Sequence, residues 1–301
     1  LKAHHPAHFL ARVIANEGGF YQPAAYLEEA RRHGIAVHGP CVVASGWLTR
    51  RQAADAIRVG LHLLPGLASA SGGRIVAERA RRPFAGVADL RRRVGLSAGQ
   101  LDILARAGAL DALHPTCHRD QILWIATSVG LQPLGRHEED DDGAQRIFPP
   151  VPCAEPYPAD LPARPARAIA WEVFRTLGFL PAGHPIHFCD RSRDRLRCRD
   201  LAPHMARARI RLVAWPITRK QVEAHPKPKP DTVAGPPEPM AFVTLEDETG
   251  LVETVWFPDA YRSFGPLLEH NQPLRLHGVV EVSHGAVAVT VHTAEAMDTA
   301  A

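Results

Sequence analysis

Paired cysteines are missing from this sequence. Its five, Cys41, Cys117, Cys153, Cys189 and Cys198, are scattered and form no C-x-x-C pair. Zinc sites commonly use such pairs, because neighbouring thiolates must reach one tetrahedral ion, so no metal site is expected. An odd count, with no signal-peptide layout in the opening LKAHHPAHFL, points to reduced thiols and a cytoplasmic location. No apolar run approaches the roughly 18 residues of a membrane span, so no membrane partner is expected. The catalytic signatures are missing too. There is no G-x-S-x-G, no G-x-x-x-x-G-K-[ST], and no H-E-x-x-H among the seventeen histidines. Nor is there a recognisable set of carboxylates on adjacent strands that could hold a pair of ions for two-metal catalysis. We therefore expect no catalytic residue and no cofactor here. Position 1 is Leu1 rather than Met, and the expectation is a cut through a longer chain.

Charge is present, but segregated. Residues 1–115 carry 15 Lys and Arg against 8 Asp and Glu, and residues 116–160 carry 3 against 8. Residues 161–230 then carry 15 against 5, and residues 231–301 carry 2 against 11. A net charge of +3 conceals two arginine-rich blocks alternating with two acidic ones. Such blocks suit a polyanion partner, since phosphate contacts release counterions, and they equally suit solvated faces.

Apolar spacing predicts helices over Ala7–Asn16 and from Pro23 to about His33, then a short strand in IAVHG. From Thr49 to about Leu113 the text reads as short helices joined by glycine-bearing turns, after the strand AIRVGL. Residues 133–168, with EEDDDG and PPVPCAEPYPADLPARP, read as a linker. Glu138, Glu139, Asp140, Asp141 and Asp142 are read as solvated linker rather than metal ligands. Helical pattern returns in AIAWEVFRTLGF. From Arg209 onward five strands are predicted: ARIRLVAW, MAFVTLED, LVETVWF, PLRLHGVVEV and AVAVTVH. A helical stretch, PDAYRSFGPLLEH, lies between the third and fourth. That order matches the five-stranded Greek-key barrel known as the OB-fold. The overall class is multidomain α + β, a helical region followed by this barrel.

The most informative local motif is Leu64-Pro65-Gly66-Leu67, followed by SGGRIVAER. It resembles a helix-hairpin-helix, whose turn presents backbone N–H groups at a helix N-terminus and can hold a phosphate without reading a base. Gly66 permits close approach, and Ser69, Ser71 and Arg74 could add donors. Ala68 stands where a second glycine is usual. The partner hairpin would be Gly95 to Gln100, with Ser97 at its helix start. Arg91, Arg92 and Arg93 just before it fit either DNA contact or a solvated helix end favoured by the dipole. On the barrel, Trp215, Phe242, Trp256 and Phe257 are candidate platforms for single-strand bases, about half of them expected to be core. Arg219, Lys220, Lys227 and Lys229 would supply charge. Glu246, Asp247 and Glu248 are read as shaping a strand-end turn. Gln145, Ile147 and Phe148 form a short peptide that could dock in a partner's groove.

Taken in order, the segments LKAHHPAHFLARVIANEGGFY, EEARRHGIAV, AIRVGLHLLPGL, PFAGVADLRRRVGLSAGQLDILARAGALDAL and MAFVTLEDETGLVETVWFP resemble the bacterial DNA polymerase III alpha subunit and its error-prone paralogue. The resemblance implies a layout. Residues 1–48 would end a fingers domain, and 49–132 would form tandem helix-hairpin-helices gripping duplex DNA. Residues 133–205 would be a linker with connecting helices, and 206–301 an OB domain facing single-stranded template. Magnesium would belong to a palm region upstream of the residues present. Sliding clamp and other replisome or mutasome subunits become expected partners, with Gln145, Ile147 and Phe148 as the candidate clamp contact. The alternative is a stand-alone, non-catalytic DNA-binding protein.

Overall fold

Helix α1 (Pro6–Asn16) buries Ala7, Leu10, Ala11 and Ile14, which recur at the i, i+3, i+4, i+7 spacing of one helical face. Helix α2 (Pro23–Arg32) opens on a proline at its first turn, where a missing N–H costs nothing. The computed structural model describes residues 2–16, 19, 21–132, 155, 157–224, 236–270 and 272–299. It divides into two compact units, residues 1–18 with 34–182 and residues 19–33 with 183–301.

The first unit contains α1 and a small sheet of β1 (Ala36–His38), β3 (Ala56–Arg58) and β2 (Arg50–Ala53), in that spatial order. β2 was not expected from sequence: its four residues, RRQA, are all exposed and show no alternation. A 3-10 turn (Leu61–Leu63) follows, then α3 (Ser69–Arg81), α4 (Val87–Val94), α5 (Ala98–Arg106), α6 (Arg119–Leu131) and α7 (Ala166–Leu177). Leu61, Leu64, Ile75, Leu90, Leu96, Leu101, Leu104 and Ile125 fill one continuous core. Each such buried side chain stabilises by about 1.5–3 kcal/mol.

The second unit is built on a closed barrel ordered β4-β5-β6-β8-β7. Its strands are β4 (Arg209–Ala224), β5 (Glu238–Asp247), β6 (Gly250–Trp256), β7 (Leu274–Ser283) and β8 (Ala286–Ala296). Helix α8 (Pro258–Phe264) sits between the third and fourth strands, as the pattern predicts. Alternate residues Leu212, Ala214, Val243, Leu245, Leu276, Val280 and Val289 point inward. Where β7 shifts register after His277, Gly278 lies so close to β8 that a Cβ would meet the Thr290 carbonyl oxygen at 2.4 Å.

These units cut across the sequence-based partition. Within 1–48, α1 packs in the first unit and α2 in the second. Within 133–205, α7 joins the first and the segment from Gly183 joins the second. Helix α2 is tied to its barrel by Arg32, whose guanidinium lies 3.2 Å from the Glu246 carboxylate. Amphipathic spacing says that a helix has a buried face but not which core receives it.

Candidate nucleic-acid interface

Leu64 and Leu67 are buried, 2% and 6% exposed, and pin the first hairpin turn to the core. Pro65 and Gly66 between them are exposed. Gly66 has φ +79, which L side chains rarely adopt, and an added Cβ would meet Ile103 Cδ1 at 3.1 Å. Helix α3 then starts with Ala68 as its N-cap, and no side chain caps it. Its first-turn amides therefore lack the acceptor that a serine or aspartate would supply at that position. Ser69 is exposed beside them, and Arg74 is exposed with no ion pair among the described residues.

The second hairpin repeats the plan. Gly95 ends α4 with φ 73, Leu96 is buried, and Ser97 caps α5. The Ser97 hydroxyl accepts from the Gln100 amide at 3.2 Å, while Gln100 Oε1 accepts from the Ser97 amide at 3.1 Å. Gln100 has a further task that sequence reasoning missed. Its Nε2 donates to Ser71 Oγ at 3.1 Å, stitching the start of α5 to the first turn of α3. The two helix N-termini are thereby held side by side. Trp47 was missed as well. It packs so closely on α3 that a Cβ on Gly72 would lie 2.2 Å from its ring. The paired glycines in SGGR were the available signal.

Three predicted contacts are corrected by this geometry. Ser71 is buried and occupied by Gln100, so it is a packing residue. Arg91 is 7% exposed, and its guanidinium donates to the carbonyls of Val129, Gln132 and Leu96, closing the end of α6. Arg93 lies over the Phe84 ring at 4.7 Å, pairs with Glu78 and Asp89, and donates to the Pro83, Glu78 and Arg82 carbonyls. A run of three arginines on a helix must face three directions, and two of these face inward. Arg92 alone stays exposed, 3.0 Å from Asp89. Burial would push the Asp89 carboxyl up, but the Ala85 amide and the Arg93 and Arg92 guanidiniums outweigh it and hold it below the usual range.

On the barrel, Trp256 is fully buried, its indole N–H donating to Thr254 Oγ1 at 2.9 Å, and Trp215 is 5% exposed. Both are core, not stacking platforms. Phe242 and Phe257 are the exposed pair, at 43% and 50%. Lys220 stands directly opposite Phe242 in the β4–β5 ladder, so the two share the outer face. Arg219 points the other way, to Glu269 at 2.6 Å. Lys227, Lys229, Gln145, Ile147 and Phe148 lie outside the described residues, as does the run Glu138 to Asp142.

The acidic strand end makes a turn, as expected. Asp247 Oδ1 accepts from the Thr249 and Gly250 amides at 2.7 and 3.1 Å. Much of the neighbouring basic block is neutralised internally. Arg191 and Arg197 pair with Glu248, while Arg211 and Arg275 pair with the buried Asp194. Among the described residues no cluster of three or more His, Cys, Asp or Glu could hold a metal ion. No described helix is long and apolar enough to cross a membrane.

Comparison with known proteins agrees with this architecture. A family profile described as helix-hairpin-helix motif matches residues 34–122, and one described as OB-fold nucleic acid binding domain matches residues 231–296. Over 97% of its length the chain is 34% identical to an error-prone DNA polymerase of Anaeromyxobacter sp. (strain K). It is 33% identical over 96% to that of Mycobacterium tuberculosis, and 34% identical over 94% to that of Dechloromonas aromatica. The chain resembles one region of an error-prone DNA polymerase. It spans about a quarter of the length of these relatives, 24–25% in each case. The polymerase-like segment order, the tandem hairpins and the OB barrel read from the sequence are thus all present.

Proposed function

We propose that this chain is the DNA-holding C-terminal part of an error-prone-type DNA polymerase, serving repair or replicative synthesis. The duplex lies across the paired hairpins, and the single-stranded template runs over the barrel face that carries Lys220 and Phe242. The observation that carries this reading is the first hairpin: an exposed left-handed Gly66 leading into an uncapped helix start. Backbone amides there can meet a phosphate oxygen at no reorganisation cost. Ser69 and Arg74 border the same turn. Chemistry would reside elsewhere in the parent polypeptide, together with its magnesium. Clamp docking through Gln145, Ile147 and Phe148 is kept as part of the proposal.

The test is Ala68→Asp. Aspartate at an N-cap position accepts from the first-turn amides and stabilises the helix by about 1 kcal/mol. The same carboxylate repels a phosphate from those amides. Fluorescence anisotropy with primed duplex should therefore show weaker binding by a protein with a higher melting temperature. Unchanged affinity in Ala68→Asp would remove the hairpin from the DNA path. Magnesium-supplemented primer extension by this chain alone should give no product.

A further inference from the structure

The small sheet of the first unit holds a concentration of positive charge that the hairpin reading does not use. Arg50 on β2 stands directly opposite Arg58 on β3. Like charges facing each other across an antiparallel pair are destabilising. A third guanidinium arrives from α3: Arg79 donates to the Val42 and Ser45 carbonyls at 2.6 and 2.9 Å. Arg50 donates to the Ala44 carbonyl at 2.8 Å, and Arg58 to the Gly39 carbonyl at 3.0 Å. All three thus converge on one loop, residues 39–46. Among the described residues none of them has a carboxylate within ion-pair distance. Other arginines that lie against neighbouring elements, Arg93, Arg106, Arg119, Arg164 and Arg275, each have a carboxylate within reach. Burial lowers the proton affinity of both Arg58 and Arg79; the charge of Arg50 adds to this and Cys41 opposes it. Carbonyl contacts orient the guanidiniums without neutralising them, and each has further N–H donors to give.

We propose that Arg50, Arg58 and Arg79 form a phosphate-group site on the loop 39–46. Tetrahedral oxyanions suit this arrangement because planar guanidinium forks bind them with paired, charge-assisted hydrogen bonds. Arg79 lies ten residues along α3 from Ser69, about 15 Å of helix at 1.5 Å per residue, so the site is separate from the hairpin turn. The inference stands apart from the proposed function. The phosphate can belong to a nucleic-acid backbone or to a small phosphorylated ligand.

The experiment uses the whole chain with arginine Nε resonances observed by NMR, and inorganic phosphate and duplex DNA as probes at matched ionic strength. Phosphate should shift the Arg50, Arg58 and Arg79 signals and raise the melting temperature relative to chloride. Both effects should be lost in Arg50→Gln, whose exposed side chain can be replaced without disturbing the core. They should be retained in Arg51→Gln, whose side chain points to the other face of β2. Should duplex DNA produce the same shifts and leave phosphate nothing to add, the ligand is a backbone phosphate. Should phosphate still add its own shifts, the site takes a small phosphorylated ligand. Silent resonances with both probes, or an undiminished response in Arg50→Gln, would overturn the site.

Discussion

Three consecutive arginines illustrate how residue identity and residue role part company. Arg91 carries its charge into the first unit and spends it on the last carbonyls of α6. Arg91→Ala would remove a buried guanidinium and its charge-assisted bonds to the Val129, Gln132 and Leu96 carbonyls, at a cost of about 2–3 kcal/mol. Urea denaturation followed by circular dichroism should show a clearly lowered midpoint. Arg92→Gln, one position on, should alter stability by no more than about 0.5 kcal/mol. If Arg92 meets a phosphate, the logarithmic salt slope of duplex binding should fall by about 0.9. Asp89, the common partner of Arg92 and Arg93, sets a pH dependence. Its folded-state acidity is stronger than in the unfolded chain, so its contribution is fully present above the unfolded value of about 3.9. That contribution disappears as pH falls through the lower folded value. Asp89→Asn should flatten this acid limb in a stability–pH series, and an unaltered limb would deny Asp89 the role.

At the scale of the element, α3 offers adjacent glycines with opposite expectations. Gly72 has Trp47 against it and no room for a methyl group, whereas Gly73 faces open space. Gly72→Ala should destabilise by about 1–3 kcal/mol through overpacking. Gly73→Ala should stabilise by about 0.5–1 kcal/mol, because alanine loses less backbone entropy in a helix. Thermal melts of the two variants side by side decide this, and equal shifts would mean that Trp47 does not pack as described. Sequence periodicity made the helix legible. It could not distinguish the two glycines, because the tryptophan that separates them comes from 25 residues earlier.

For the whole molecule, the two units divide the proposed labour. Ala68→Asp should weaken duplex binding and leave single-strand binding intact. Phe242→Ala should do the reverse, costing about 1–3 kcal/mol of single-strand affinity for each base lost from its ring. Anisotropy with single-stranded and duplex probes separates the two, and parallel losses in both variants would argue against separate surfaces. Net charge is a poor guide at this scale. The basic block of 161–230 has part of its charge matched by Asp194 and Glu248, whereas Arg50, Arg58 and Arg79 of the first unit have no carboxylate within ion-pair distance among the described residues.

The order of helices and strands, the barrel and the two glycine-cornered turns were determined by sequence alone, because period, punctuation and positive-φ demands act over a few residues. Asp247 was likewise legible, since a carboxylate before Thr-Gly shapes its own turn. Which tryptophan is core and which arginine is anchor, where α1 and α2 dock, and how Gln100 joins two helix starts were settled only in three dimensions. The reason is physical: burial and pairing depend on partners distant in the chain, and no local pattern encodes who those partners are.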